Sequence, residues 1–229
     1  LETKTYTLTL PSTGEDIKYR PFLVKEQKTL LMAQESNDDK EMIDAMSQLI
    51  NDCTFGKVDP KKCPMFDAEY IFLQLRAKSV GEKADIQITC PDDNETKVNV
   101  LVDISDVECN MIEDHTNVVD ITDTVKVVFN YPLLSSFANI KEDNKAESMF
   151  DMIRESIHEI HFDDKIYNKI DTSKKELTEF IDSLNTQQFE SISKFFESMP
   201  KLRHAVEVTN PKTKVKSEVV IEGLQSFLV

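Results

Sequence analysis

Residues 67–75 of the chain read DAEYIFLQL, and this stretch decides how the protein folds. Asp67 is a residue type that favours the start of a helix. The apolar side chains that follow lie on nearly every side of a helical projection, and a helix that is apolar all round is buried. We therefore predict a helix that begins near Asp67 and lies at the centre of the fold.

Upstream of this helix, the sequence changes from strand to helical periodicity. Residues 3–10 and 16–20 alternate polar and apolar side chains around a Pro-Ser-Thr-Gly turn at residues 11–14, so they predict two paired strands. Apolar residues then recur every three or four positions over residues 25–36 and 39–54. Two amphipathic helices are predicted there.

Downstream, further strands surround a helical segment. Residues 84–103 predict a β-hairpin with a turn at Pro91-Asp92-Asp93-Asn94, and β-branched residues favour strands over 118–129. The segment between Pro132 and Pro200 has no glycine and no internal proline. It predicts three helical stretches, 133–140, 146–161 and 173–199, the last broken near Asn185, and a second hairpin follows over 205–221.

These elements predict an α+β fold with N-terminal strands, three helices with a β-hairpin, a helical insertion and a C-terminal β-hairpin. The predicted division is an α+β domain over 1–130, a helical subdomain over 131–200 and a returning hairpin over 201–229. At 229 residues and 26.3 kDa, the chain can form one large core or two small ones.

The chain is strongly acidic, with 27 basic and 42 acidic side chains and a net charge of −15. A field of this sign repels phosphate backbones and anionic lipid headgroups, so we expect neither nucleic acid nor membrane partners. No apolar run approaches the roughly 20 residues of a membrane-spanning helix. The acidity promotes solubility, or it forms a face that docks a basic partner or mimics DNA.

Metal binding has weak support in the sequence. The four cysteines at positions 53, 63, 90 and 109 form no Cys-x-x-Cys pair, and we expect reduced, buried thiols. His158 and His161, beside Glu155 and Glu159 on a predicted helix, are the best local candidates for ligands. A solvated polar helix face is the favoured explanation, because the sequence shows no source for a third and a fourth ligand, so no metal and no cofactor are predicted.

Catalysis has no positive support either. The sequence has no Gly-x-Ser-x-Gly elbow, and residues 191–194, which spell Ser-x-x-Lys, lie inside a predicted amphipathic helix. The four glycines are too far apart to form a phosphate-binding loop. We predict that the protein is not an enzyme and has no catalytic residues.

Several segments carry a resemblance to a known family. They are LPSTG at 10–14, RPFL at 20–23, EYIF at 69–72 and SVGE at 79–82. Over roughly residues 8–90 the chain resembles the baseplate hub subunit family of T-even-type, contractile-tailed bacteriophages. Residues 103–200 carry no such resemblance.

The resemblance implies a non-enzymatic structural or assembly component of the tail baseplate hub. Its partners would be other phage tail and baseplate proteins, and it would reside in the virion tail baseplate after assembly in the host cytoplasm. Its oligomeric state stays open. The alternatives are an assembly chaperone that leaves before maturation, an acidic DNA mimic that blocks a host enzyme, and a hydrolase of unrecognised architecture.

The resemblance also singles out residues for structural or partner contacts: Arg20, Pro21, Phe22, Glu26, Arg76 and Gly81. The first three can equally form a strand-to-helix junction, with Phe22 packing on the helix start. Arg76 can pair inside the protein with Glu26 or Asp67. Gly81 is predicted to supply a positive φ angle after the central helix.

Overall fold

A computed structural model of the protein describes residues 3–109, 112–137 and 144–227. The described elements confirm the predicted α+β class. The chain forms two compact units: Leu1–Asn110 together with Pro200–Val229, and Met111–Met199. Within the described part of the chain, no helix has the length and hydropathy needed to cross a membrane.

The first three helices lie where the sequence predicts them. Strands β1 and β2 form an antiparallel pair, and α2 follows α1 after a two-residue break. The bounds are β1 (Tyr6–Thr9), β2 (Asp16–Tyr19), α1 (Val24–Ser36), α2 (Asp39–Cys53) and α3 (Met65–Ser79).

The remaining elements include both predicted hairpins. The bounds are β3 (Lys83–Thr89), β4 (Lys97–Asp103), β5 (Val118–Asp120), β6 (Val125–Phe129), α4 (Leu134–Phe137), α5 (Lys145–Ser156), β7 (Ile157–Phe162), β8 (Lys165–Asn168), α6 (Lys174–Asp182), α7 (Thr186–Ser198), β9 (Arg203–Thr209) and β10 (Lys216–Glu222). The break predicted near Asn185 separates α6 from α7, where Asn185 caps α7 through Gln188 N–H. The predicted helix 133–140 is present as α4, and residues 138–140 lie outside the described residues.

The prediction of a helix over 146–161 is wrong for residues 157–161. It ends at Ser156, and Ile157–Phe162 forms a strand between β6 and β8. The buried pair Ile157 and Ile160 has helical spacing, yet a register shift opposite Val128 and Phe129 lets both point into the core from a strand. The predicted helical insertion therefore contains the β7–β8 hairpin. The spacing of apolar residues in β7 did not distinguish this strand from a helix.

The first unit is organised around α3, as predicted. Phe66, Ile71, Leu73 and Leu75 of this helix are buried. Asp67 accepts hydrogen bonds from the Ser12 N–H, at 3.0 Å, and from the Ser12 hydroxyl, which fixes the β1–β2 turn against the helix start. Burial of Asp67 raises its pKa, although the bonds from Ser12 oppose this shift.

The β3–β4 and β9–β10 hairpins of the first unit are joined at their turns. The buried Asn210 donates from Nδ2 to the carboxylates of Asp92, at 3.0 Å, and Asp93, at 2.9 Å. Glu108 and Arg203 also exchange backbone hydrogen bonds. These contacts bring the chain after residue 200 back to the N-terminal segment and close a discontinuous unit.

The second unit is a sheet packed on helices. Its antiparallel strands have the order β5-β6-β7-β8. The core combines apolar residues of three strands with residues of α5, α6 and α7: Val119, Val127, Phe129, Ile153, Ile157, Ile160, Leu177, Ile181, Ile192 and Phe195. Four rings, those of His115, Phe129, Tyr131 and Phe196, surround Phe195, and the ring centroids of Phe195 and Phe129 are 4.9 Å apart.

The C-terminal turn docks on α3. Leu224 and Phe227 are buried, which confirms the predicted docking for Phe227, whereas Leu228 lies outside the described residues. The Leu224 N–H donates to the carboxylate of Glu69, and burial raises the pKa of Glu69 to about 7. A titratable contact therefore lies between the central helix and the chain's last turn.

Stability should depend on pH through Glu69. Because the unfolded carboxyl has a pKa near 4.3, the folded state binds the extra proton between about pH 4.3 and pH 7. The free energy of unfolding should fall as pH rises through this range, and Glu69→Gln should recover about 2 kcal/mol at pH 8. Urea unfolding at several pH values measures this, with Glu15→Gln at an exposed site as the control. Parallel pH profiles for wild type and Glu69→Gln would refute the assignment.

Candidate functional site

The residues singled out between β2 and α1 form one connected junction. Arg20 Nη2 lies 2.8 Å from Glu26 Oε1, and Arg20 Nη1 donates to Glu26 Oε2 at 3.3 Å and to the Pro21 carbonyl at 3.0 Å. The Leu23 N–H donates to the same carboxylate. Glu26 is the third residue of α1, so its carboxylate caps the helix start while it binds Arg20.

Electrostatics favour the charged forms of this pair. Burial alone would raise the pKa of Glu26, but hydrogen bonds from Arg20 and Leu23 outweigh it and hold the pKa below its ordinary value. The hydrogen bond to Glu26 correspondingly raises the pKa of Arg20. The Glu26 side chain is only 8% exposed, so Arg20 neutralises a carboxylate that has little access to water.

The junction is also fixed to the ends of two other helices. The Arg20 N–H donates to the carbonyl of Cys53, the last residue of α2, at 3.0 Å. The Phe22 N–H donates to Ser79 Oγ, at the end of α3, at 2.9 Å. Gly81 follows with φ of 148°, which confirms the predicted positive φ at the exit from α3. The start of α1 therefore lies beside the end of α3.

Arg76 lies on α3, and burial lowers its pKa. Of the two carboxylates that the sequence suggests as its partners, Glu26 binds Arg20 and Asp67 binds Ser12, and pairing of Arg76 inside the protein stays a prediction. The role of Arg76 in a partner contact stays a prediction.

Helix α1 buries a glutamate and leaves several large apolar side chains in water. Glu26 and Ala33, seven residues apart, face inward, and they are the only two buried residues of the helix. On the opposite side lie Val24, 80% exposed, and Leu31, two turns further along the helix, and Met32, 60% exposed, follows Leu31 about 100° around the helix axis. We call these three side chains the α1 outer face. Leu23 and Val80, at the adjoining helix ends, are exposed as well.

This surface could not be identified from hydrophobic spacing. In the sequence, Leu30, Leu31 and Ala33 predict an ordinary buried stripe. In the structure the inward position belongs to Glu26, because its carboxylate serves both Arg20 and the helix start. One sequence feature points to this arrangement: Arg20 follows a predicted strand, and Glu26 stands at the third position of the helix that comes next.

The histidine pair does not form the predicted helical arrangement. His158 and His161 lie on β7, where His158 occupies the register irregularity, and His158 Nε2 lies 3.7 Å from Glu159 Oε1. Glu159 Oε2 lies 2.8 Å from His161 Nε2. The described residues contain no group of three or more His, Cys, Asp or Glu side chains that could hold a metal ion. All four cysteines are free and buried.

Comparison with known proteins identifies the family. The sequence profile described as "T4 bacteriophage base plate protein" matches residues 3–229. No curated protein and no solved structure matches the chain. Because the profile spans nearly the whole chain, the chain belongs to this family of T4-type phage baseplate proteins, which confirms the resemblance found in the sequence. The family supports a structural or assembly role in the tail baseplate, in contact with other tail proteins.

The junction should be sensitive to loss of its arginine. Arg20→Ala leaves the Glu26 carboxylate without its cation, so we expect the free energy of unfolding to fall by about 2 kcal/mol. Adding Glu26→Gln should recover part of the loss, since no buried charge then remains. Lys25→Ala is the matched control, because Lys25 is 3.6 Å from the same carboxylate but exposed. Equal effects of Arg20→Ala and Lys25→Ala in urea unfolding would contradict the assignment.

Proposed function

We propose that the protein is a non-enzymatic structural or assembly component of the baseplate hub, and that it acts through protein–protein contacts. Family membership supports the baseplate role, and the resemblance of residues 8–90 to hub subunits supports the hub in particular. The partners are other tail and baseplate proteins, and the site of action is the virion tail, assembled in the host cytoplasm.

The α1 outer face is the observation that carries the protein-contact mode. Three large apolar side chains on one helix face remain in water, whereas the two inward positions of the same helix hold a glutamate and an alanine. Exposed apolar side chains that are grouped on one surface are typical of protein interaction sites. Burial of such side chains contributes about 25 cal/mol per Å² of apolar area removed from water.

The neighbouring junction gives this surface a fixed position. Arg20, Glu26 and Ser79 hold the start of α1 against the ends of α2 and α3, so the helix does not need to order itself when a partner binds. Preorganisation of this kind lowers the entropic cost of association. The residues matched to the hub family, 20–23 and 79–82, are those that build the junction.

A phage carrying Val24→Glu together with Leu31→Glu tests the proposal. A carboxylate at each position would have to be buried without a partner, so association with tail intermediates should weaken by at least about tenfold and few baseplates should assemble. Leu101→Glu is the control, since Leu101 is similarly exposed on β4 of the same unit. Sedimentation of tail intermediates, with quantitation of the chain in each fraction, measures the effect.

Normal baseplate assembly by a stably folded Val24→Glu, Leu31→Glu variant would contradict the role of the α1 outer face. Absence of the wild-type chain from baseplates and from all tail intermediates would contradict the proposed function itself. Mass spectrometry of mature virions separates the two forms of the proposal. A chain that is present in virions is a hub component, and one found only in intermediates is an assembly chaperone.

A further inference from the structure

The turn that ends α2 holds an aromatic residue in an unfavourable backbone conformation. Phe55 has φ of 57°, in the left-handed region that glycine or asparagine usually occupies after a helix. A bulky side chain in this region is an outlier that costs stability. The Gly56 N–H donates to the Asn51 carbonyl at 2.8 Å, which is the hydrogen bond of a regular helix end. The turn itself would therefore be more stable without the phenylalanine.

Burial does not explain why a phenylalanine stands at this position. A strained core residue is held by the packing around its side chain, but Phe55 is 55% exposed. The residue thus combines two unfavourable features, a left-handed backbone and an aromatic ring in water. Backbone strain that the surrounding packing does not require is typical of functional positions.

The loop that begins with Phe55 is anchored to the first unit. We call residues 55–62 the Phe55 loop. Val58 within it is buried, and so is Cys63, which follows its last residue. The Lys57 N–H donates to the Thr54 carbonyl at 3.1 Å. A partner would meet a loop that is already ordered, which lowers the entropic cost of association.

The Phe55 loop is basic, although the chain as a whole is acidic. The loop contains Lys57, Lys61, Lys62 and a single acid, Asp59, whereas the net charge of the chain is −15. All three lysines are exposed. Lys62 Nζ lies 3.9 Å from Asp59 Oδ2, and within the described part of the chain Lys57 and Lys61 form no ion pair. The loop therefore presents uncompensated positive charge around an exposed ring.

The acids near the ends of the loop leave this charge in place. Glu26 and Asp67 are buried in the first unit. The Asp52 carboxylate accepts a hydrogen bond from Gln48 Nε2 at 2.8 Å. Lys25, whose side chain is 72% exposed, adds another cation near the end of α2. The local sign of the surface is thus opposite to that of the whole chain.

We infer that the Phe55 loop docks on another tail protein, with the Phe55 ring in an apolar pocket and the lysines on Asp or Glu side chains at its rim. The inference rests on the proposed function, because the partner is a protein of the baseplate assembly, and it adds the chemistry of one contact. Aromatic rings inserted into pockets are the side chains that contribute most to many interfaces. Opposite charge at the rim speeds association and fixes its orientation.

Charge favours this occupant over two others. In a contact with a second copy, the acidic surfaces outside the loop would repel each other, so self-association is opposed. A phosphate backbone would meet the same repulsion from the rest of the chain. A protein that is acidic only around the pocket places negative charge where the Phe55 loop lies and nowhere else.

Phe55→Asn separates a docking role from a structural one. Asparagine tolerates a positive φ, so the urea midpoint of this variant should equal or exceed that of the wild type. Its binding to tail intermediates isolated from a phage that lacks the chain should weaken by at least about tenfold, since the ring is lost. Phe55→Tyr keeps the ring and should bind within about twofold of the wild type. Leu101→Asn, at an exposed site on β4, is the matched control and should bind normally.

The lysines are tested with the same full-length chain and the same intermediates. Lys57→Glu combined with Lys61→Glu should weaken binding by at least about fivefold and reduce its salt dependence. Lys40→Glu combined with Lys97→Glu makes the same change of charge at exposed sites of the first unit and should have little effect. Co-sedimentation with the intermediates measures both. A photoreactive benzoyl-phenylalanine in place of Phe55 should crosslink to an Asp- or Glu-rich segment of another tail protein.

Equal binding of Phe55→Asn and the wild type would overturn the inference, and so would an equal loss in Leu101→Asn. A lower urea midpoint of Phe55→Asn, with normal binding of the lysine variant, would assign Phe55 a structural role instead. Crosslinks to a second copy would assign the loop to self-association. Wild-type binding that no loop variant alters contradicts this inference alone, whereas a wild-type chain that joins no intermediate contradicts the proposed function.

Discussion

Burial of α3 is the constraint on which the first unit depends. The helix is apolar on several sides, and it packs against α2, the 3-10 turn Ile104–Asp106 and the C-terminal turn Leu224–Phe227. Near its start, the Asp67 carboxylate accepts a hydrogen bond from Ser12, and at its end the Ser79 hydroxyl donates to the Leu75 carbonyl. The segments that contact it come from both ends of the sequence, so the helix can be buried only when the chain after residue 200 has returned.

The burial of α3 limits the packing partners that are available to α1. Because α3 already has its partners, α1 packs mainly against α2 and faces inward with Ala33 and with the ion-paired Glu26. A buried ion pair specifies geometry more than it adds net stability. Here it fixes the rotation of α1, and this rotation leaves Val24, Leu31 and Met32 in water. A fixed apolar helix face suits a baseplate protein that must bind neighbouring proteins.

The sequence predicted the local elements of the first unit well because their signals are local. The apolar side chains on nearly every side of 67–75, the turn residues of the β3–β4 and β9–β10 hairpins and the glycine after α3 each report on a few neighbouring residues. Hydrophobic spacing failed at Ile157 and Ile160, where a register irregularity gave a strand the period of a helix. It failed again at Leu31, where a long-range ion pair set the helix rotation. The contacts of Asn210 with Asp92 and Asp93 join residues more than a hundred positions apart, and no local pattern encodes them.

Thiol labelling of Met32→Cys most directly tests the claim that the α1 outer face is exposed in the free protein and covered in the assembly. The native cysteines give little background, because all four are buried and burial raises the pKa of Cys63 and Cys109 to about 12. We expect rapid labelling of Met32→Cys in the free protein and strong protection in isolated baseplates or tail intermediates. Equal labelling rates in the free and assembled states would contradict the account.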